Sequence, residues 1–85
     1  MKEFTYTIKD ELGIHARPAG LLVKCAKTCK SRIQISKGEK TADALRLMAV
    51  MGMAVKQGDT VKVSIEGDTE DADMETIRHF FESNL

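Results

Sequence analysis

Eighty-five residues are enough for one small domain, residues 1–85, with a core of modest size. Thirteen Lys and Arg side chains offset thirteen Asp and Glu, so no general field draws the chain to nucleic acid or to a membrane surface. No apolar run is long enough to cross a bilayer and Met1 is not followed by a signal-peptide pattern, so a cytoplasmic protein is expected.

Phe4, Tyr6 and Ile8 alternate with Glu3, Thr5 and Thr7, the period of two of a half-buried strand. Asp10-Glu11-Leu12-Gly13 then forms the loop that delivers His15. Gly13 permits a turn that a side chain would strain. Pro18 suits the first turn of a helix, where its missing N–H forfeits no intrahelical bond. Ala19, Leu22, Val23 and Ala26 recur at helical spacing as a buried stripe, while Arg17, Gly20, Lys24 and Lys27 follow on the opposite side. His15 therefore falls beside the unpaired N–H groups at the positive end of a helix, a place suited to an anion.

Arg17 adds a permanent cation shaped to grip phosphate oxygens. Histidine, with an ordinary pKa near ~6.5, keeps a large neutral fraction near neutral pH, and a neutral ring nitrogen can attack phosphorus. The plainer alternative is that His15 merely caps the helix and that Arg17 and Pro18 are ordinary surface residues. The three together at a glycine-led helix start favour the nucleophile. The lysines could simply solvate the helix, but their line begins at the anion site and so reads as a docking surface for acidic partners.

Cys25 and Cys29 lie four apart, neither the C-x-x-C of redox sites nor a zinc-ligand array, and no metal is expected. Cys25 reads as a small buried apolar residue, Cys29 as partly exposed and slow to oxidise. Ile33 and Ile35 mark a second strand, Lys37-Gly38 a tight turn and Glu39 to Thr41 a short third strand. Asp43 is placed to cap a short helix from about Ala44 to Gly52. Ala44, Val50, Met53 and Val55 would serve the core, whereas Leu47, Met48 and Met51 form a separate, partly exposed cluster. Flexible methionines on a surface suit several partners of different shape.

Lys56 to Asp59 turns the chain, and Val61, Val63 and Ile65 alternate through a fourth strand. Gly67-Asp68-Thr69 opens the last helix. Glu70, Asp71, Asp73 and Glu75 crowd its start and Arg78 and His79 come near its end, matching the helix dipole. Helix stabilisation explains that acidic run better than a metal site, and His79 reads as solvated. Met74, Ile77, Phe80 or Phe81, and Leu85 supply the buried stripe. The order strand, helix, strand, strand, helix, strand, helix predicts an α+β fold of two layers, helices on one side of a four-stranded antiparallel sheet.

Gly13 to Ala19 reads GIHARPA, which resembles the active-site signature of the HPr family, the histidine-containing phosphocarriers of the bacterial sugar phosphotransferase system. The likeness extends over the whole chain in length, in the order of elements and in the placing of Leu47 to Met51. The resemblance implies an open-faced sandwich and a monomeric carrier with no cofactor, not a stand-alone enzyme. His15 would receive a phosphoryl group on Nδ1 from enzyme I, itself charged by phosphoenolpyruvate, and pass it to enzyme IIA proteins. Arg17 and the N–H groups of Ala16 and Arg17 would hold the phosphoryl oxygens. Gly20, Lys24, Lys27, Leu47, Met48 and Met51 would dock the partners.

Two positions depart from the family pattern. Leu12 stands where many relatives carry a small polar residue, and Arg46 stands where many Gram-positive relatives carry a regulatory serine, so that switch is not carried over. A regulatory paralogue, of nitrogen or catabolite type and acting mainly by docking, is the alternative function. A ferredoxin-like RNA-binding domain shares much of the element order, but it needs stacking aromatics on its sheet and a basic surface. Only Phe4 and Tyr6 lie on a strand, on the expected core face, and the net charge is zero.

Overall fold

In the computed structural model, which describes residues 1–85, the chain runs β1 (Lys2–Thr7), α1 (Ala16–Thr28), β2 (Arg32–Lys37), β3 (Lys40–Asp43), α2 (Leu47–Gly52), β4 (Thr60–Glu66) and α3 (Glu70–Asn84). The strands form one antiparallel sheet in the order β1-β4-β2-β3. Register carries the alternation seen in the sequence across all four strands. Phe4 faces Val63, Tyr6 faces Val61, Ile33 faces Ile65, and Ile35 lies between Val63 and Ala42. The residues between them, Thr5, Lys62, Gln34 and Thr41, belong to the opposite, polar face of the pleat.

The helices close the apolar face. α1 buries Pro18, Ala19, Leu22 and Ala26, and α3 buries Ile77, Phe80 and Phe81. Phe81 lies at the centre, with the rings of Phe4, Tyr6 and Phe80 edge-on to it at 5.8, 5.6 and 6.2 Å. Both phenylalanines are thus buried where one was expected, because α3 packs against β1 as well as α1. Val23, Met74 and Cys25 are half-buried at the margins of the stripes instead of inside them.

Two boundaries differ from expectation. β2 runs through Lys37, which pairs with Lys40, so the turn is Gly38-Glu39 and the third strand spans 40–43. Gly38, at φ 60°, takes the left-handed conformation that a two-residue hairpin demands. Strand pairing then claims Asp43, opposite Gln34, and moves the start of α2 to Leu47. Asp43 acts one turn earlier: its Oδ1 accepts the Leu45 N–H at 2.8 Å and its carbonyl the Arg46 N–H at 3.0 Å. Arg46 occupies the N-cap of α2 and makes no side-chain capping bond.

α3 also corrects the dipole argument. Its first turn is acidic as expected, but it runs on to Asn84, so Arg78 and His79 lie mid-helix and its last turn holds no basic residue. Arg78 instead pairs with Glu75 at 3.2 Å and covers the Phe4 ring at 5.6 Å. Within the acidic run Asp73 alone is buried, at 8% exposed. Its Oδ2 accepts the Ser31 N–H at 3.0 Å, the Ser31 hydroxyl at 2.6 Å and the Thr69 hydroxyl at 2.7 Å. Asp73 thereby ties the start of α3 to the entry of β2.

Candidate functional site

The site begins with the conformation of Gly13, whose φ is 66°. A Cβ there would overlap the Val55 carbonyl oxygen and the Lys56 Cα, so only glycine lets the loop lie this close to the segment after α2. The loop is held on several sides. Gly13 N–H donates to the Asp10 carbonyl at 3.0 Å and Ile14 N–H to the Val55 carbonyl at 3.1 Å. Lys9 and Asp10 donate to the Leu85 main-chain oxygen at 2.6 and 2.8 Å. The Asp10 side chain accepts the Leu12 N–H at 2.8 Å, and buried Ile14 anchors the segment in the core.

This frame places His15 at the N-cap of α1, with φ −111° and ψ −176°. Its carbonyl accepts the Ala19 N–H at 2.9 Å, as an N-cap residue's should, but its side chain makes no capping bond. The simple capping alternative therefore fails, and the ring, 36% exposed, is open to solvent. Nε2 lies 3.8 Å from Asp10 Oδ1, within ion-pair reach and beyond hydrogen-bond length. The N–H groups of Ala16 and Arg17 have no acceptor in the chain, and Pro18 has no N–H to satisfy. Arg17 is exposed and forms no ion pair. A ring nitrogen, two open N–H donors and a guanidinium thus share one helix end, next to an open concavity of about 440 Å³.

That concavity also shows what sequence reasoning missed. Besides His15, Arg17 and Pro18 it is lined by Asp10, Leu12 and Leu21, and by Ser83 and Asn84 from the last turn of α3. Asp10 carried a readable signal, an Asx residue opening the short loop that ends at Gly13. Ser83 and Asn84 carried none, since only the packing of α3 on α1 brings them there.

The expected docking residues are elsewhere. Lys24 and Lys27 are exposed along α1 and Gly20 is half-buried. Met48 is 77% and Leu47 40% exposed on α2, while Met51 is half-buried against the core. None of them lines the concavity, but α2 packs on α1, so the apolar pair and the basic line belong to neighbouring helices.

The cysteines stand apart from this chemistry. Burial, followed by the negative charge of Asp73, pushes the Cys29 thiol up to about 11, and burial also raises Cys25. Thiolate is therefore scarce near neutral pH, in keeping with the slow oxidation expected for Cys29. No three His, Cys, Asp or Glu side chains come together in a metal-holding group.

The family model described as "PTS HPr component phosphorylation site" matches residues 2–83. A phosphocarrier protein HPr of Lysinibacillus sphaericus is 42% identical over 77 residues, covering 91% of this chain and 88% of that one. A multiphosphoryl transfer protein of Xanthomonas campestris is 30% identical over 82 residues, which make up 96% of this chain and 10% of that protein. The crystal structure of HPr from Thermoanaerobacter tengcongensis superposes with a TM-score of 0.91 at 41% identity, covering 98% of this chain and 93% of its own.

Proposed function

Since the chain belongs to the HPr family of phosphocarriers of the phosphotransferase system, we propose that His15 is its phosphoryl acceptor. We further propose that the phosphoryl group comes from enzyme I, charged by phosphoenolpyruvate, and goes on to sugar-specific enzyme IIA proteins. One observation carries the reading: the ring of His15 is free at the open end of α1, beside unpaired Ala16 and Arg17 N–H groups and the unpaired Arg17 guanidinium.

The chemistry follows from charge. A neutral ring nitrogen attacks phosphorus, the donor atom leaves with its bonding pair, and about two negative charges arrive with the phosphoryl oxygens. Ala16 and Arg17 N–H donate to those oxygens where the helix end is positive, and Arg17 offsets the remaining charge. The site is half-open, so these contacts hold the group without enclosing it, as onward transfer requires. An intact His15 supports the carrier reading over a module that acts by docking alone. Incubation with phosphoenolpyruvate and enzyme I, followed by mapping of acid-labile phosphate, tests the proposal. Label on His15 supports it, and label at His79 or none overturns it.

A further inference from the structure

Resting on that reading, we propose that Asp10 is a positioning residue for the reaction. Its carboxylate holds the His15 proton on Nε2 and so leaves the Nδ1 lone pair as the nucleophile. Asp10 Oδ1 lies 3.8 Å from His15 Nε2, close enough for attraction, and a small rotation of the soft ring torsion brings the pair to hydrogen-bond length.

The carboxylate is fixed before the reaction begins. Oδ1 already accepts the Leu12 N–H at 2.8 Å, the Asp10 N–H donates to Leu85 at 2.8 Å, and the Asp10 carbonyl receives the Gly13 N–H at 3.0 Å. No other acidic side chain lines the concavity. Its remaining charged group is Arg17 from α1, and α3 contributes only the uncharged Ser83 and Asn84. A carboxylate accepts but cannot donate, so the imidazole nitrogen nearer to it is favoured as the N–H.

The electron balance gives Asp10 a second task. When the Nδ1 pair forms the N–P bond and the donor atom departs with the former bonding pair, the Nε2 proton stays in place. The ring then carries the positive charge of a phosphoimidazolium. The Asp10 carboxylate faces that charge across the ring, while Arg17 and the Ala16 and Arg17 N–H groups meet the phosphoryl oxygens. Onward transfer runs the same steps in reverse, with Nδ1 recovering its pair.

Asp10→Asn separates this role from a structural one, because Asn keeps an oxygen to accept the Leu12 N–H while it loses the charge and exchanges the second oxygen for an NH2 group. Nitrogen-15 NMR of the unphosphorylated protein reads the proton's position directly. We expect the ratio of Nε2–H to Nδ1–H tautomer to fall about threefold in Asp10→Asn, the size appropriate to a half-exposed charge contact. Asp10→Ser, which also retains a turn acceptor, should show the same fall. In the wild type, raising salt from about 0.05 to about 1 M should lower the same ratio. A ratio unchanged in both variants and by salt overturns the proposal. This measurement involves no phosphoryl donor, so it stands apart from the labelling that tests His15 as acceptor.

Discussion

Gly13 shapes the candidate site through its backbone, because a side chain there would push the His15 loop off the Val55 carbonyl. Gly13→Ala combines a left-handed φ with backbone overlap and should lower stability by about 2–4 kcal/mol, measured by denaturant unfolding. A loss under about 0.5 kcal/mol, the level of an ordinary surface change, would contradict this account of the loop. Asp73 gives a prediction in pH. Burial pushes its carboxyl up, but the hydrogen bonds from Ser31 and Thr69 outweigh that and hold it below its ordinary value. Its stabilising contribution is therefore complete above the ordinary carboxylate value near ~3.9 and fades as pH falls through the lower folded-state value. Asp73→Ala, which strands three donors, should cost about 2 kcal/mol at neutral pH. The gap between wild type and variant should narrow below about pH 4, and a gap independent of pH would rule this out. At this scale His15, Arg17 and Pro18 were legible because their chemistry is local. Asp73 was not, because Ser31, which gives it two of its three hydrogen bonds, lies 42 positions away and meets it only after α3 docks on the sheet.

Among the elements, the strands were the most readable, since an alternation of two survives whatever the sheet order turns out to be. α2 was the least readable. Ala44 and Leu45 have helical company in the sequence, but pairing of Asp43 with Gln34 holds the chain extended up to the helix. One consequence is that Arg46 occupies an N-cap where it makes no capping bond. Arg46→Ser should raise stability by about 0.5–1 kcal/mol, read by thermal melting, and no gain would mean that the α2 start is set by packing alone. The other consequence concerns docking. Met48 is 77% exposed, so Met48→Asp should leave the fold stable yet cut phosphoryl transfer from enzyme I by about tenfold or more. Unfolding of that variant, or transfer at the wild-type rate, would remove Met48 from the proposed docking surface. Arg46→Asp should slow the same transfer most at low salt, where charge is least screened.

On the scale of the whole molecule, the two-layer plan was legible from element order and period, and the family from one heptapeptide supported by length and element order. The ends of the site were not. Ser83 and Asn84 reach the concavity from almost seventy positions beyond His15 through the α1–α3 packing alone. The absence of net charge places recognition on local features, so added salt should weaken encounter with an acidic partner without unfolding the protein. The proposed function rests on a single reacting atom. The most direct measurement is phosphorus-31 NMR of the intact protein after incubation with phosphoenolpyruvate and enzyme I, alongside His15→Ala. One acid-labile phosphohistidine signal, on Nδ1, is expected in the wild type, and none in a folded His15→Ala protein. A signal that persists in His15→Ala, or an Nε2-phosphorylated ring, would contradict it.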